Sequence, residues 1–408
     1  MWTKRNSLGT KTSVFVLLVT GLFFFAAPAT AEVKVFLLGG QSNMQGMGGF
    51  PGATYGTTYY PPDDPCPPPY NAVQTTVKFW DYGTPSGGIN VPETVGTHWV
   101  DLQPGFGWYP SEFGPEVSFG YSLRQNFPND EIYLVKYAKG STTLATDWRP
   151  NGTGVCYNWL KTRANAAIAN LIGSGKSPVV AGMIWMQGEG DAKTTADANA
   201  YATNLTNFID QVRDDFDTLD MPFVLGRIDD YYLSRVGGAT VRAAQAAVAN
   251  ADENAAWFST DNLENAYIGH FGTEGQIDLG NYFAYFMDEL IPPIPGDASG
   301  NGVVDEEDAA ILAANWGGAG GWEDGDFNND GVVGAADAAI LTANWHYGVP
   351  GESGTSVPEP STLVLAATAL LGLAGHRWRK RRWARDGSSP CPETSQTAAA
   401  KDLGVAKR

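Results

Sequence analysis

Residues 32–290 alternate two kinds of segment, and that alternation limits the chain to very few folds. Apolar runs without strict polar–apolar alternation begin at Val33 ("VKVFLLG"), Glu131 ("EIYLVKYA"), Val179 ("VVAGMIWMQG"), Met221 ("MPFVLGRI") and Ala255 ("AAWFST"). Such runs suit parallel strands covered on both faces. Segments of helical spacing lie among them, at Glu116–Phe127, Trp159–Leu171, Ala196–Phe216, Ala239–Ala251 and Glu274–Leu290. The order predicts an open α/β sheet, whose ligands bind beyond the carboxyl ends of the strands. Residues 50–110 break the rhythm with proline and aromatic clusters ("YYPPDDPCPPPY", "FGWYPSEFGPE"). An insertion this long in a compact domain is usually functional. Its Tyr59, Tyr60, Tyr70, Trp99, Trp108 and Tyr109 offer rings of the kind that stack on sugars, or that simply pack the loop onto the sheet.

The two ends of the 408-residue chain read differently. Lys4, Arg5 and Lys11, an apolar core from Val14 to Ala27, and Ala29-Thr30-Ala31 make residues 1–31 an export signal, too short in its apolar part for a membrane span. The net charge is −18, and because both ends are basic the stretch between them is more acidic still. Such a surface excludes nucleic acid and anionic membranes as partners. Export also permits a disulfide between Cys66 and Cys156, while Cys391 lies in the tail.

After a short linker (291–295) with Pro292-Pro293, residues 296–348 hold ten acidic residues and no Lys or Arg. "DASGNGVVDEED" from Asp297 is repeated as "DFNNDGVVGAAD" from Asp326, and near-identical helices follow, "AAILAANW" and "AAILTANW". The repeat marks a duplicated unit. In each loop, oxygen-bearing side chains fall at positions 1, 3, 5 and 12, with glycine at 6, which suits Ca²⁺. The first set is Asp297, Ser299, Asn301 and Asp308, with Asp305 at the water-bridged ninth place. The second is Asp326, Asn328, Asp330 and Asp337. Val303 and Val332 would add main-chain carbonyls at position 7. With aspartate at position 12, the region resembles a type I dockerin. That resemblance implies a small all-α calcium module and raises a cohesin as a partner.

Beyond a second linker (349–356), "VPEP" at Val357–Pro360 precedes an apolar run from Leu363 to Gly375 and the basic "HRWRKRR". These elements, within residues 357–385, resemble a PEP-CTERM sorting signal. The resemblance implies processing by an exosortase and a place at the bacterial envelope; residues 386–408 form a further tail. The alternative is a plain membrane anchor, since basic residues after an apolar segment fix orientation.

The first strand ends in "LLGGQSNMQGMGG", with Ser42 between Gln41 and Asn43. Glycine, serine and asparagine fill ordinary loops, but a serine raised on a turn at the carboxyl edge of a sheet is also a nucleophile elbow. A nucleophilic serine needs a base, and the chain has four histidines. His376 lies in the tail and His346 ends the acidic module. His270, in "YIGHFGTEGQIDLG" between the last strand and last helix, is at the same edge as Ser42. His98, in the insertion, is the alternative.

"GGQSNMQG", "FGPE" at Phe113–Glu116, "KGSTTL" at Lys139–Leu144, "IWMQGEGDA" at Ile184–Ala192 and "HFGTEGQIDLG" at His270–Gly280 occur in one order. Together they resemble the sialate O-acetylesterase and acetylxylan esterase branch of the SGNH hydrolases, over roughly residues 33–290. The resemblance implies a flavodoxin-like three-layer sandwich that deacetylates carbohydrates, with Ser42 as nucleophile and His270 as base. It implies an oxyanion hole of the Ser42 and Gly140 N–H groups and the Gln187 amide. Many relatives carry an aspartate three residues before the histidine, where this chain has Tyr267. The acid implied instead is Glu189, with Asp191, Asp261, Glu264 or a bare Ser-His dyad as alternatives. No metal is required at this centre. Two other classes stay open: an inactive glycan-binding relative, and a structural surface protein. Acetylated xylan-type polymers and acetylated sialic acid are both candidate substrates, the long insertion favouring the former.

Overall fold

The computed structural model describes residues 32–55, 58–83, 93–150 and 152–348. The expected export signal, the sorting segment and tail, His376 and Cys391 lie outside the described residues.

Seven strands form one sheet in the order His98–Leu102, Gln74–Asp81, Glu131–Ala138, Val33–Gly40, Pro178–Met186, Phe223–Arg227, Ala255–Ser259. All neighbours are parallel except the first pair. The five expected runs are the five consecutive strands from Glu131–Ala138 to Ala255–Ser259, in the flavodoxin-type order 2-1-3-4-5. Val33–Gly40 lies between two neighbours and is buried along its whole length, which is why its sequence does not alternate.

Helices cover both faces. On one, Phe119 of helix Glu116–Asn126 meets Phe36 edge-on at 5.7 Å, and helix Thr273–Leu290 brings Met287 over Gly182. On the other, Trp185 packs against Trp148 (4.9 Å) and against Phe208 (4.5 Å) of helix Thr195–Asp215. Helices Val155–Gly173 and Gly238–Asn250 complete that layer.

The insertion departs from the sequence reading. Part of it, Gln74–Asp81 and His98–Leu102, extends the sheet instead of looping over it. Val77, Phe79 and Trp80 are buried there, and Trp99 sits between Trp80 (5.0 Å) and Tyr133 (4.7 Å), in the core rather than free for a ligand. Cys66 and Cys156 are free thiols in different apolar clusters, so the disulfide that export would permit is not formed between them.

Residues 296–348 form two loop–helix units, with helices Glu306–Asn315 and Ala335–Ala343 around Val304, Leu312, Phe327, Val333 and Leu341. In each loop, the first and twelfth aspartates accept from the loop's own backbone. Asp297 takes the N–H of Gly300 (2.7 Å) and Gly302 (2.8 Å), and Asp326 that of Gly331 (2.8 Å). Asp308 takes Ala298 N–H (3.0 Å) and Asp337 takes Gly334 N–H (2.7 Å). Asn129 of the larger domain donates to Gly302 O at 2.8 Å.

Candidate active site

Gly40 makes the exit from the first strand. Its φ is 152°, and a Cβ there would stand 2.1 Å from Met186 O, so only glycine allows the turn. The short helix Ser42–Gln45 follows at once. Ser42 heads it, and the first N–H groups of a helix have no partner within it.

His270 is delivered by a hairpin of Asn265–Tyr267 and His270–Phe271. Its two-residue turn has positive φ at Ile268 (47°) and Gly269 (71°), as a type I′ turn requires. Gly269 is fitted against the rings of Tyr231 and Tyr232, which leave no room for a Cβ. His270 Nε2 then lies 2.9 Å from Ser42 Oγ. Tyr267 stacks on the imidazole at 5.0 Å, and Trp108 meets it edge-on at 5.8 Å. Burial, with Arg235 nearby, pushes His270 down to about 4, against a smaller opposing effect of the Tyr267 main chain. The ring is therefore neutral at pH 7, as a proton acceptor must be.

The remaining expected residues are placed less simply. Glu189 is buried, but it is not hydrogen-bonded to His270; its Oε1 accepts from Asn43 Nδ2 at 3.1 Å. Its Oε2 is buried without a hydrogen-bond partner, while the His270 ring has the Tyr267 main chain beside it. Burial raises the Glu189 carboxyl to about 7. Asp191 accepts from Leu144 N–H (2.9 Å), Ala145 N–H (3.0 Å) and Gln187 Nε2 (2.7 Å), and so ties two loops together. Asp261 is bridged to Arg242 at 2.6 Å and to Arg227 at 2.9 Å. Glu264 lies near Asp63 and Gly272, with burial the main cause of its raised pKa. None of the four carboxylates orients the base directly. His98 is largely exposed on the edge strand beside Thr97 and Asp81.

Two of the three expected oxyanion donors already have acceptors. Gly140 N–H donates to Gln45 Oε1 at 3.1 Å, and the Gln187 amide faces Asp191, Thr142 O (3.2 Å) and Gln41 Oε1 (3.4 Å). Lys136 pairs with Glu116 at 2.7 Å, both buried, and Lys136 also donates to Gln45 O (3.0 Å). The glutamate of "FGPE" is thus a support beneath the serine helix. Of the aromatics expected as sugar platforms, Trp108 reaches the site, Tyr59 and Tyr109 are exposed, and Tyr70 packs on Tyr121 at 5.3 Å. The Tyr60 side chain lies outside the described residues. Sequence reasoning missed Asn43, Tyr232 and Arg235; the last two follow a strand's carboxyl end, which was the available signal. A surface cleft of about 750 Å³ lined by Arg149, Asn204, Gln211 and Asp214 includes neither Ser42 nor His270. Among the described residues, Asp229, Asp230 and Asp261 gather carboxylate oxygens within 4.8 Å, with the Asp261 arginines supplying positive charge. No described helix is long and apolar enough to cross a membrane.

Residues 356–381 match the PEP-CTERM protein-sorting motif, which indicates export and sorting to the cell envelope or surface by exosortase processing. No curated protein matches the chain in sequence. A solved structure from Arabidopsis thaliana is 22% identical with a TM-score of 0.49, over 64% of this chain and 100% of that one. A carbohydrate acetylesterase from Xanthomonas citri is 18% identical with a TM-score of 0.46, over 63% of this chain and 56% of that one. Residues 32–289 match the model of the carbohydrate esterase, sialic acid-specific acetylesterase family, and the chain belongs to that family.

Proposed function

We propose that the protein is an exported carbohydrate O-acetylesterase working through Ser42 and His270. The observation that carries this reading is the 2.9 Å contact between Ser42 Oγ and a neutral, half-buried His270 at the carboxyl edge of the sheet. His270 Nε2 takes the hydroxyl proton as Oγ attacks the acetyl carbonyl, and the protonated ring then gives it to the departing sugar oxygen. Water, deprotonated by the same nitrogen, releases acetate and restores the serine. The developing oxyanion is held by the N–H groups of Ser42 and Gly140. The Gln45 side-chain carbonyl that Gly140 N–H donates to marks where an acceptor oxygen sits. Acetylated polysaccharide of the xylan type is the favoured substrate class, with Trp108 beside the base and its exposed chain neighbour Tyr109 as contact surfaces.

The loops of residues 296–348 fit Ca²⁺ by the chemistry of their donors, which are all oxygen, and by buried aspartates at positions 1 and 12. Asp297, Ser299, Asn301, Asp305 and Asp308 would hold one ion, and Asp326, Asn328, Asp330 and Asp337 the other, with the Val303 and Val332 carbonyls. The ions' role is structural, and a cohesin-type module is the class of partner such a unit would take.

Acetate release from acetylated xylan by purified protein tests the reading. Ser42→Ala and His270→Ala should each abolish turnover without unfolding the chain, and His98→Ala should be mild. More than a few per cent of activity in either of the first two overturns it.

A further inference from the structure

The base of this site lacks a carboxylate partner, yet its ring must be aimed at Ser42 Oγ. Asn43, next to the nucleophile and fully buried, supplies the link. Its Nδ2 donates to Gly269 O at 3.1 Å and its Oδ1 accepts from Phe271 N–H at 3.1 Å. Gly269 and Phe271 flank His270, so one side chain grips the peptide groups on both sides of the base. The amide has a fixed sense, because reversed it would set oxygen against Gly269 O and N–H against Phe271 N–H. Glu189 Oε1 accepts the second Nδ2 hydrogen and holds that sense. Tyr232 OH donates to the same Gly269 carbonyl at 3.1 Å, and Arg235 donates to the main-chain carbonyl of Glu189 while lying over the Tyr232 ring at 4.6 Å.

We propose that Asn43 is the positioning residue for His270, and that Glu189 acts through Asn43 instead of on the base. This rests on the Ser42–His270 reading above. The role differs from that of a triad acid: what Glu189 supplies is an acceptor for one N–H, so a neutral acceptor of the same shape can replace it.

The test is hydrolysis of 4-nitrophenyl acetate by the full-length protein, with thermal melts on every variant. Ser42→Ala and His270→Ala are run first, and activity in them would remove the underlying reading rather than this one. Given their loss, Asn43→Asp, which fills the same space, should lower kcat about 100-fold with KM little changed, the cost typical of a displaced catalytic group. Its activity should fall further between pH 6 and 8, as a proton shared by the introduced carboxyl and Glu189 is lost, where the wild type is flat. Glu189→Leu should lose about as much, and Glu189→Gln should recover at least ten-fold of that loss, since its Oε1 still accepts. Two outcomes overturn the proposal: a folded Asn43→Asp variant with wild-type kcat and pH profile, or Glu189→Gln as damaged as Glu189→Leu. If Asn43→Asp does not fold, the Glu189 pair alone decides.

Discussion

His270 and Glu189 are shifted in opposite directions from their ordinary values, His270 down and Glu189 up. His270, held near 4, loses its basic form only in acid. We therefore expect kcat/KM to rise with pH through about 4 and to stay level to neutrality, where an ordinary histidine would put the rise near 6.5. Steady-state rates from pH 3.5 to 8 check this, and a limb near 6.5 would contradict it. Glu189 has a folded value of about 7, above the usual carboxylate range, because burial disfavours its charge. Between the unfolded value and about 7 the folded chain binds the extra proton, so this residue lowers stability as pH rises through that window. Glu189→Gln removes the effect. Its melting temperature should exceed the wild type at pH 8 and not at pH 4, which paired melts would reveal.

Among the elements, the serine helix depends on a buried pair beneath it. Lys136 and Glu116 are both almost wholly out of solvent and 2.7 Å apart, with Lys136 also capping Gln45 O. Removing one partner of such a pair leaves a buried charge, at a cost of about 3–5 kcal/mol. Lys136→Met should thus destabilise the domain by that much in urea unfolding, and Lys136→Met with Glu116→Gln should recover part of it. A loss below about 1 kcal/mol in the single variant would mean that water reaches the site. The elements themselves were largely legible. Helices expected at Ala196–Phe216 and Glu274–Leu290 occur at Thr195–Asp215 and Thr273–Leu290. Helix Val155–Gly173 starts four residues before the expected Trp159. The strands Gln74–Asp81 and His98–Leu102 were not legible, because both are half exposed and lie within a proline-rich stretch whose composition reads as loop.

For the whole molecule, the acidic module meets the larger domain at Asn129, and we expect no chemical coupling between the two. Asn129 holds Gly302 of the first loop, whereas Ser42 and His270 lie at the carboxyl edge of the sheet. Calcium should therefore raise the melting temperature of the module, and EDTA should lower it while esterase activity persists. Calorimetry should give about two ions, the second loop binding more tightly because it has three carboxylates at its direct positions against two in the first. Activity lost on adding EDTA and regained with calcium would mean that a metal serves the catalytic centre.

Periodicity and motif spacing by themselves determined the α/β class and the two repeated loops, and narrowed the base for Ser42 to His270 or His98, because these are patterns of residue type written along the chain. Tertiary structure alone decided who touches whom. Ile268-Gly269 turns His270 toward Ser42, Asn43 rather than Glu189 grips that turn, Gln187 faces Asp191, and the two cysteines fall in separate clusters. A hydrogen-bond partner is set by distance and angle between segments far apart in the chain, and no single segment encodes it.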